Sequence, residues 1–285
     1  MATPGIHLAE NEYGVSDVRV LRVTRRDRHH EVKDMMLDVR CEGDFGTAHT
    51  AGDNRNILPG DTMKNTIYVL AKQYPSEAIE EFALHAIEHF LTYNPQMTQV
   101  EVTARERPWS RLTVGEKPDP SAFVAGLAER RTTRIHATRN ETSVQSGIEQ
   151  LAVLRTAGAA FALFLRDPYT TLQETVDSLL SATVSASWAY AEPEASYSTV
   201  FHGVRRTLLE AFAAHDSRSP QHILYAMGHA VLDNLDVIRE IRISLAQMPF
   251  RLVDMKPFGM ENENEVFALA DKPHTVAEAT LRRDK

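Results

Sequence analysis

The chain has 285 residues, of which 43% are hydrophobic and 25% are charged, so it is long enough for two domains with apolar cores and too apolar to be disordered. A net charge of −8 argues against nucleic-acid binding, because duplex binders neutralise phosphates with a basic surface. The one cysteine, Cys41, excludes an internal disulfide, and its strand-like surroundings favour a small buried hydrophobe over a nucleophile.

The apolar runs of the sequence are too short for an integral membrane protein. The longest cover 157–165 and 67–71, far below the roughly 20 residues that a spanning helix needs. The first 14 residues lack the basic and apolar pattern of a signal peptide, and Leu281–Lys285 does not match a peroxisomal address. We therefore expect a cytoplasmic protein with no membrane association.

The first half of the chain predicts a hairpin, two helices and a strand. Polar and apolar residues alternate over 18–23 and 35–39, as in strands with one wet face, and the polar segment 24–32 is expected to be their loop. A helix should begin near Asp61, whose side chain can cap its first turn. A second helix is indicated by apolar residues at helical spacing from Ile79 to Leu91, and alternation returns over 99–104.

The second half repeats this order of elements. Strand-like runs near 147–154, 159–165 and 183–190 precede two amphipathic patterns, Val204–Phe212 and Ile223–Val231, and a last alternating run covers 240–245. The repetition predicts an α+β fold of two similar units, each with helices on one face of an antiparallel sheet. The charged, weakly periodic stretch 129–140 suggests the boundary between them, so we place the domains at 11–135 and 136–285.

One run of residues indicates a family. Arg166–Thr175 reads RDPYTTLQET, which resembles the RD-x-YTTL-x-ET signature of urate oxidases (uricases). Further segments match in register: Tyr13-Gly14, 60–66, His89-Phe90, 219–221 and 265–268. The resemblance implies tandem tunnelling-fold (T-fold) domains that assemble into an oligomeric barrel, normally a homotetramer with pockets between subunits. It also implies oxidation of urate by molecular oxygen with no metal or organic cofactor.

Three residues match the positions of the family's substrate-binding groups. Phe161 corresponds to the aromatic ring that stacks on the substrate, Gln221 to one arm of the clamp on its edge, and Asp61 to the aspartate beside the catalytic threonine. These residue types suit a planar heterocycle, because an aromatic face stacks on a flat ring and a carboxamide both donates to and accepts from an imide edge. The amides of a helix that begins near Asp61 can face an anionic or carbonyl atom.

Five other positions depart from the family. Val15 replaces the lysine of the proton relay and Gly60 its threonine, whereas Ser178 replaces the arginine of the clamp. The last two departures are Gln247 in place of an asparagine and Pro249 in place of a histidine. We expect Val15, Gly60, Ser178 and Gln247 still to line the pocket, and His222 is the one candidate for a replacement base, because it follows Gln221.

Two functions remain open from these residues. The first is a cofactor-independent oxidase or oxygenase that uses O2 on urate or, as the departures favour, on another planar purine-like or aromatic heterocycle. The alternative is a catalytically silent binding or structural protein with the uricase fold; a different reaction on the same fold, such as hydrolysis, is a third reading. The run His85-x-x-Glu88-His89 formally fits a zinc pattern, but the apolar helical stripe already explains its placement, so no metal is expected.

Overall fold

The computed structural model describes residues 5–26, 29–192, 194–248, 250–269 and 275–284, and the chain forms two compact units. The first comprises the described residues up to Ser146 and a short segment that ends at Ser198; the second comprises Gly147–Glu192 and the described residues from Thr199 onward. Within these ranges no helix combines the length and apolarity that membrane crossing requires. The domain boundary at 135/136 stays a prediction.

The first unit contains a four-stranded antiparallel arrangement in the order β1-β2-β3-β6, on which two long helices pack. Its elements are β1 (Glu12–Arg26), β2 (His29–Gly43), α1 (Gly46–Ala51), α2 (Gly60–Gln73), α3 (Ile79–Tyr93), β3 (Met97–Arg107), β4 (Trp109–Val114), β5 (Lys117–Ala125) and β6 (Arg130–Thr138). Strands β4 and β5 form a separate hairpin.

The second unit repeats the plan. Strand β7 (Thr142–Phe161) begins in the first unit and ends in the second, where the order continues as β7-β8-β9-β12. The remaining elements are β8 (Thr175–Tyr190), α4 (Tyr197–Ala214), α5 (Pro220–Asn234), β9 (Ile238–Gln247), β10 (Phe250–Leu252), β11 (Phe267–Leu269) and β12 (Val276–Arg282). The predicted α+β class with antiparallel sheets is confirmed.

The apolar stripe of α3 forms the core of the first unit. Its predicted members are all buried: Ile79, Phe82, Ala83, Ala86, Ile87, Phe90 and Leu91. The helix packs on β3 and β6, where the inward positions of the strands are also buried and apolar. Cys41 is fully buried on β2, and burial raises the pKa of its thiol to about 12.

A buried polar cluster lies beside this core. Glu80 is fully buried, accepts a hydrogen bond from Arg131 Nη2 at 2.7 Å and another from Ser146 Oγ at 2.5 Å. Because a lone buried carboxylate would be costly, the two donors explain how an acidic residue can sit on the apolar face of α3. Burial, and after it the charges of Glu80 and Glu81, raise the pKa of nearby Tyr197 to about 12.

Two glycines allow close backbone approaches. A Cβ on Gly14 would overlap the carbonyl oxygen of Val39 on the paired strand, so the Tyr13-Gly14 pair requires glycine at its second position. On α5, a Cβ on Gly228 would lie 2.8 Å from Leu281 Cδ1 and 3.4 Å from Ile243 Cδ1. The absence of a side chain at Gly228 therefore lets α5 settle on β9 and β12.

Two segments that give no strand pattern in the sequence, a predicted loop and the charged stretch 129–140, contain strand residues. Within 24–32 the described residues 24–26 and 29–32 are strand, because β1 and β2 remain paired as far as Arg26 and His29. The polar side chains there are mostly exposed to solvent, so the two strands stay paired by their backbone hydrogen bonds although neither face is apolar. Likewise 129–140 contains β6, whose inward face includes Arg131 and Thr133; both are hydrogen-bonded to protein groups, and their polarity hides the strand period.

Two further expectations are wrong in detail. The runs 147–154 and 159–165 belong to one strand that ends at Phe161, and the apolar Leu163 and Leu165 beyond it are more than 90% exposed. The helix near Asp61 is confirmed, but Asp61 does not cap it: Pro59 precedes the first turn, and Asp61 is the second helical residue. Its carboxylate accepts from Lys64 Nζ at 2.5 Å and from Asn65 Nδ2 at 3.1 Å, and the Lys64 contact lowers the pKa of Asp61.

Candidate functional site

The second unit contains a cavity of about 390 Å³ in which the ends of several elements meet. This volume lies within the range of roughly 300–1,000 Å³ typical of small-molecule pockets. Four residues singled out from the sequence line it: Phe161, Ser178, Gln221 and Gln247. They come from the end of β7, the start of β8, the first turn of α5 and the end of β9.

Phe161 presents an aromatic surface to the cavity. Its ring stacks on that of Phe164, with the centroids 5.1 Å apart and the planes 17° from parallel. The guanidinium of Arg166 lies 5.0 Å from the centroid of the Phe164 ring. One face of Phe161 is therefore covered by protein, and a planar ligand can occupy the other.

Hydrogen bonds fix the backbone that carries Phe161. Ala160 N donates to Ser217 O at 2.8 Å, and Gly158 N donates to Asp177 Oδ1 at 2.5 Å. Ser178 Oγ donates to Ala159 O at 2.9 Å. Because a hydroxyl has one proton, Ser178 is left with acceptor lone pairs for a ligand and cannot donate to an anion in this arrangement.

The first turn of α5 brings Gln221 to the cavity. Ser219 caps the helix, because its Oγ accepts from the backbone N–H of His222 at 3.1 Å, and Pro220 occupies the first helical position. The exposed Gln221 side chain has no hydrogen-bond partner among the described residues, so both ends of its carboxamide are free to bind a ligand.

His222 points its Nδ1 towards protein groups. Among the described residues, those that line the cavity do not include His222. Its Nδ1 accepts from Arg218 N at 3.3 Å and lies 3.3 Å from His215 Nε2. Burial, and after it the neighbouring His222, lower the pKa of His215. The role of His222 as a base stays a prediction.

The remaining candidates lie in the first unit. Tyr13 links β1 to the segment before α2, because its hydroxyl oxygen accepts from Leu58 N at 2.9 Å. Val15, two residues on, is half-buried next to an irregularity in the β1–β2 register. Gly60 begins α2, and no atom of the described chain lies within 4 Å of where its Cβ would be. The position therefore has room for a side chain, and Asp61 follows it on the surface.

Several lining residues are not found by reasoning from the sequence. Leu172, Gln173 and Thr175 belong to the RDPYTTLQET run, and that run is the signal from which they could have been named as pocket residues. Phe250 and Arg251 lie on β10, a strand of only three residues that gives no periodic signal. Pro249, one of the five departures from the family, lies outside the described residues.

The helix that carries the formal zinc pattern has other contacts. His85 stacks on Tyr74 with ring centroids 4.5 Å apart, whereas His89 packs against Tyr93 at 4.6 Å. No group of three or more His, Cys, Asp or Glu side chains able to hold a metal occurs among the residues that the structure describes.

Comparison with known families gives one match over most of the chain. The model of the uricase family matches residues 11–136 and 144–278. Uricase from Arthrobacter globiformis is 39% identical over 277 residues, which are 97% of this chain and 90% of that protein. Uricases from Danio rerio and Dictyostelium discoideum are 31% and 30% identical and cover 98% and 97% of this chain, with 95% and 97% of their own lengths covered.

The fold is likewise similar to solved structures. The crystal structure of the Arthrobacter globiformis uricase superposes with a TM-score of 0.93 at 39% identity, covering 98% of this chain and 96% of the other. A urate oxidase from Bacillus sp. TB-90 has a TM-score of 0.86 at 22% identity, covering 96% and 100%, and supports the fold alone. The predicted tandem T-fold architecture is confirmed, whereas the oligomeric barrel stays a prediction.

Proposed function

Because this chain belongs to the uricase family, we propose that its second unit binds a planar purine-like heterocycle and that the protein oxidises this ligand with O2 without a cofactor. The observation that carries the proposal is that Phe161 and Gln221, from different elements, line the same cavity. A ring stacked on Phe161 would have its edge within the reach of a carboxamide that protein groups leave unused. The pair thus offers both the face and the edge contacts that a purine needs.

The chemistry requires the heterocycle to lose two electrons and two protons, which O2 accepts to form hydrogen peroxide. Holding the ring in a defined pose and excluding water are the contributions that this cavity offers. The lysine and threonine of the family's relay are absent at Val15 and Gly60, and loss of a general base typically costs about 10²–10⁴ in rate. A heterocycle that is already ionised at neutral pH suits the cavity best, because it needs the least help with proton removal.

The resemblance also implies that pockets of this family lie between the subunits of a homotetramer. On that expectation Asp61, Gly60 and Val15 of one subunit would complete the cavity of another. A mass measurement in solution tests the tetramer directly.

Oxygen consumption by metal-free protein tests the reaction. We expect uptake of O2 with equimolar peroxide for at least one acidic purine, from a panel that includes urate, xanthine and their hydroxylated relatives. Phe161→Ala should weaken binding of that substrate by at least about fivefold, since a ring stack is worth about 1 kcal/mol beyond its burial. No oxygen uptake across the whole panel would contradict the proposal.

A catalytically silent binding protein is the second candidate, favoured by the combined absence of the relay and clamp residues at Val15, Gly60 and Ser178. Tight purine binding by the cavity with no oxygen uptake would identify this case. Hydrolysis or hydration of the ring would instead be revealed by a product that has gained water while no O2 is consumed.

A further inference from the structure

We infer that Arg251 is the residue by which this cavity selects an anionic heterocycle. The inference rests on the proposed function and deepens it, because it names the charge of the ligand and the side chain that recognises it. Arg251 lies on β10, where it pairs with Ala268 of β11, and it lines the same cavity as Phe161 and Gln221.

Arg251 is the one charged side chain among the described residues that line the cavity. It makes no hydrogen bond or ion pair with any residue that the structure describes. Other arginines of the second unit differ: Arg242 donates to Glu278 at 2.8 Å, and Arg283 pairs with Asp236 at 3.0 Å. A guanidinium beside a cavity and without a protein partner is available to an anionic ligand.

The rest of the lining also favours a negatively charged ligand. No carboxylate is found among the described lining residues, whose polar members are the neutral side chains of serine, threonine and glutamine. The first turn of α5, from Ser219 to Gln221, also faces the cavity, and the positive end of that helix adds to the attraction for an anion. In a chain of net charge −8, this combination marks the cavity as locally positive.

The position of Arg251 explains how the cavity can bind an anion although position 178 is a serine and not an arginine. Ser178 Oγ donates to Ala159 O, so β8 supplies no donor for an anionic oxygen from this side chain. Arg251 belongs to a different strand, β10, and its planar guanidinium can bind two ligand oxygens or an oxygen and a ring nitrogen. The cavity therefore suits an anionic planar ligand whose charged edge faces β10.

Binding measurements on the full-length protein test the inference. The probes are urate, which is an anion at neutral pH, orotate, which carries a carboxylate, and hypoxanthine, which is neutral. We expect the unmodified protein to bind an anionic probe more tightly than hypoxanthine. If urate binds more tightly than orotate, the protein recognises a ring anion; if orotate binds more tightly, it recognises a carboxylate. Arg251→Gln should weaken that anion by about tenfold to a hundredfold and leave hypoxanthine unchanged.

Two variants complete the design. Arg251→Lys keeps the positive charge but lacks the planar guanidinium, so it should retain part of the anion preference and the dependence of that preference on salt. Arg206→Gln, at a side chain 73% exposed on α4, is the matched control and should bind every probe as the unmodified protein does.

The inference is overturned if Arg251→Gln, folded by its thermal melt, keeps the ratio of anion to hypoxanthine affinities, or if the unmodified protein shows no anion preference. Oxygen uptake by the unmodified protein with an unaffected Arg251→Gln variant would refute the inference and keep the proposed function. Anion binding that depends on Arg251, without oxygen uptake, would support the inference and contradict the proposed function.

Discussion

Cys41 illustrates how the environment of a single side chain decides its chemistry. The residue lies fully buried on β2, and burial raises the pKa of its thiol to about 12. Since the thiolate is the reactive form, almost none of it exists at neutral pH. The chain contains no other cysteine, so every thiol signal reports on this position.

We therefore expect the folded protein to react with a thiol reagent at pH 8 much more slowly than the same chain in denaturant. One thiol per chain should appear on unfolding. The measurement is the time course of labelling in buffer and in guanidinium, with free cysteine as the reference. Rapid labelling of the native protein would show that the thiol is accessible.

At the residue scale, the family resemblance locates much of the candidate site, whereas residue chemistry alone does not locate it. Phe161, Gln221, Ser178 and Gln247 share a cavity because four elements end there, which no local pattern encodes. Arg251 escapes prediction for a related reason. It matches no family position considered from the sequence, and its strand is too short to produce a period.

Elements are joined in the first unit by the carboxylate of Asp34. This buried residue on β2 accepts from Arg19 Nη2 of β1 at 3.0 Å and from Trp109 Nε1 of β4 at 3.1 Å. Burial alone would raise the pKa of Asp34, but the bonds from Arg19 and Trp109 outweigh it and hold that pKa below its ordinary value. Asp34 should therefore stabilise the folded state where it is ionised.

The sign of the pH dependence follows from this lowered pKa. The contribution of Asp34 is present above its unfolded pKa of about 3.9 and is lost as the pH falls through the lower folded value. In urea unfolding between neutral and acidic pH, Asp34→Asn should lower the free energy of unfolding at neutral pH and make its acid decline shallower. The exposed Asp233→Asn is the control. Parallel declines for Asp34→Asn and the unmodified protein would contradict the argument.

The sequence predicts helices and strands unequally well. Helix α3 is predictable because one apolar stripe faces β3 and β6, and the stripe is visible in the residues themselves. Strand β6 is not, because the residues it buries include Arg131 and Thr133, whose polarity is offset by partners distant in sequence. Leu163 and Leu165 cause the opposite error: their apolar side chains predict a buried strand, but both residues are exposed.

For the whole molecule, the repeated order of strands and helices predicts two similar α+β units, and the family resemblance predicts that each has the T-fold. The site departures concern groups in both units: Val15 and Gly60 in the first, Ser178 in the second. Two of the positions have room for larger side chains, because Gly60 has open space at its Cβ and Ser178 faces a cavity of about 390 Å³, whereas Val15 is half-buried.

The room at Gly60 and Ser178 predicts a gain of function. The triple change Val15→Lys, Gly60→Thr and Ser178→Arg should fold and should oxidise urate at least about 10²-fold faster than the unmodified chain, which is the lower range for a restored general base. Initial rates of urate loss and peroxide formation measure it. The change Ser178→Arg alone is the control and should strengthen urate binding with little effect on turnover. A folded triple variant with the original rate would show that other residues block the reaction.

The bare backbone at Gly228 has a consequence for evolution of the ligand site. Gln221 lies seven residues, or about 10 Å along the axis, before the point where α5 rests on Leu281 and Ile243. A methyl group at 228 would lie 2.8 Å from Leu281 Cδ1, so either the Leu281 side chain shifts or α5 moves, and in the second case the carboxamide of Gln221 moves with the helix. Since catalysis depends on the position of the bound ligand, a packing position that never contacts the ligand is one route by which substrate preference can change.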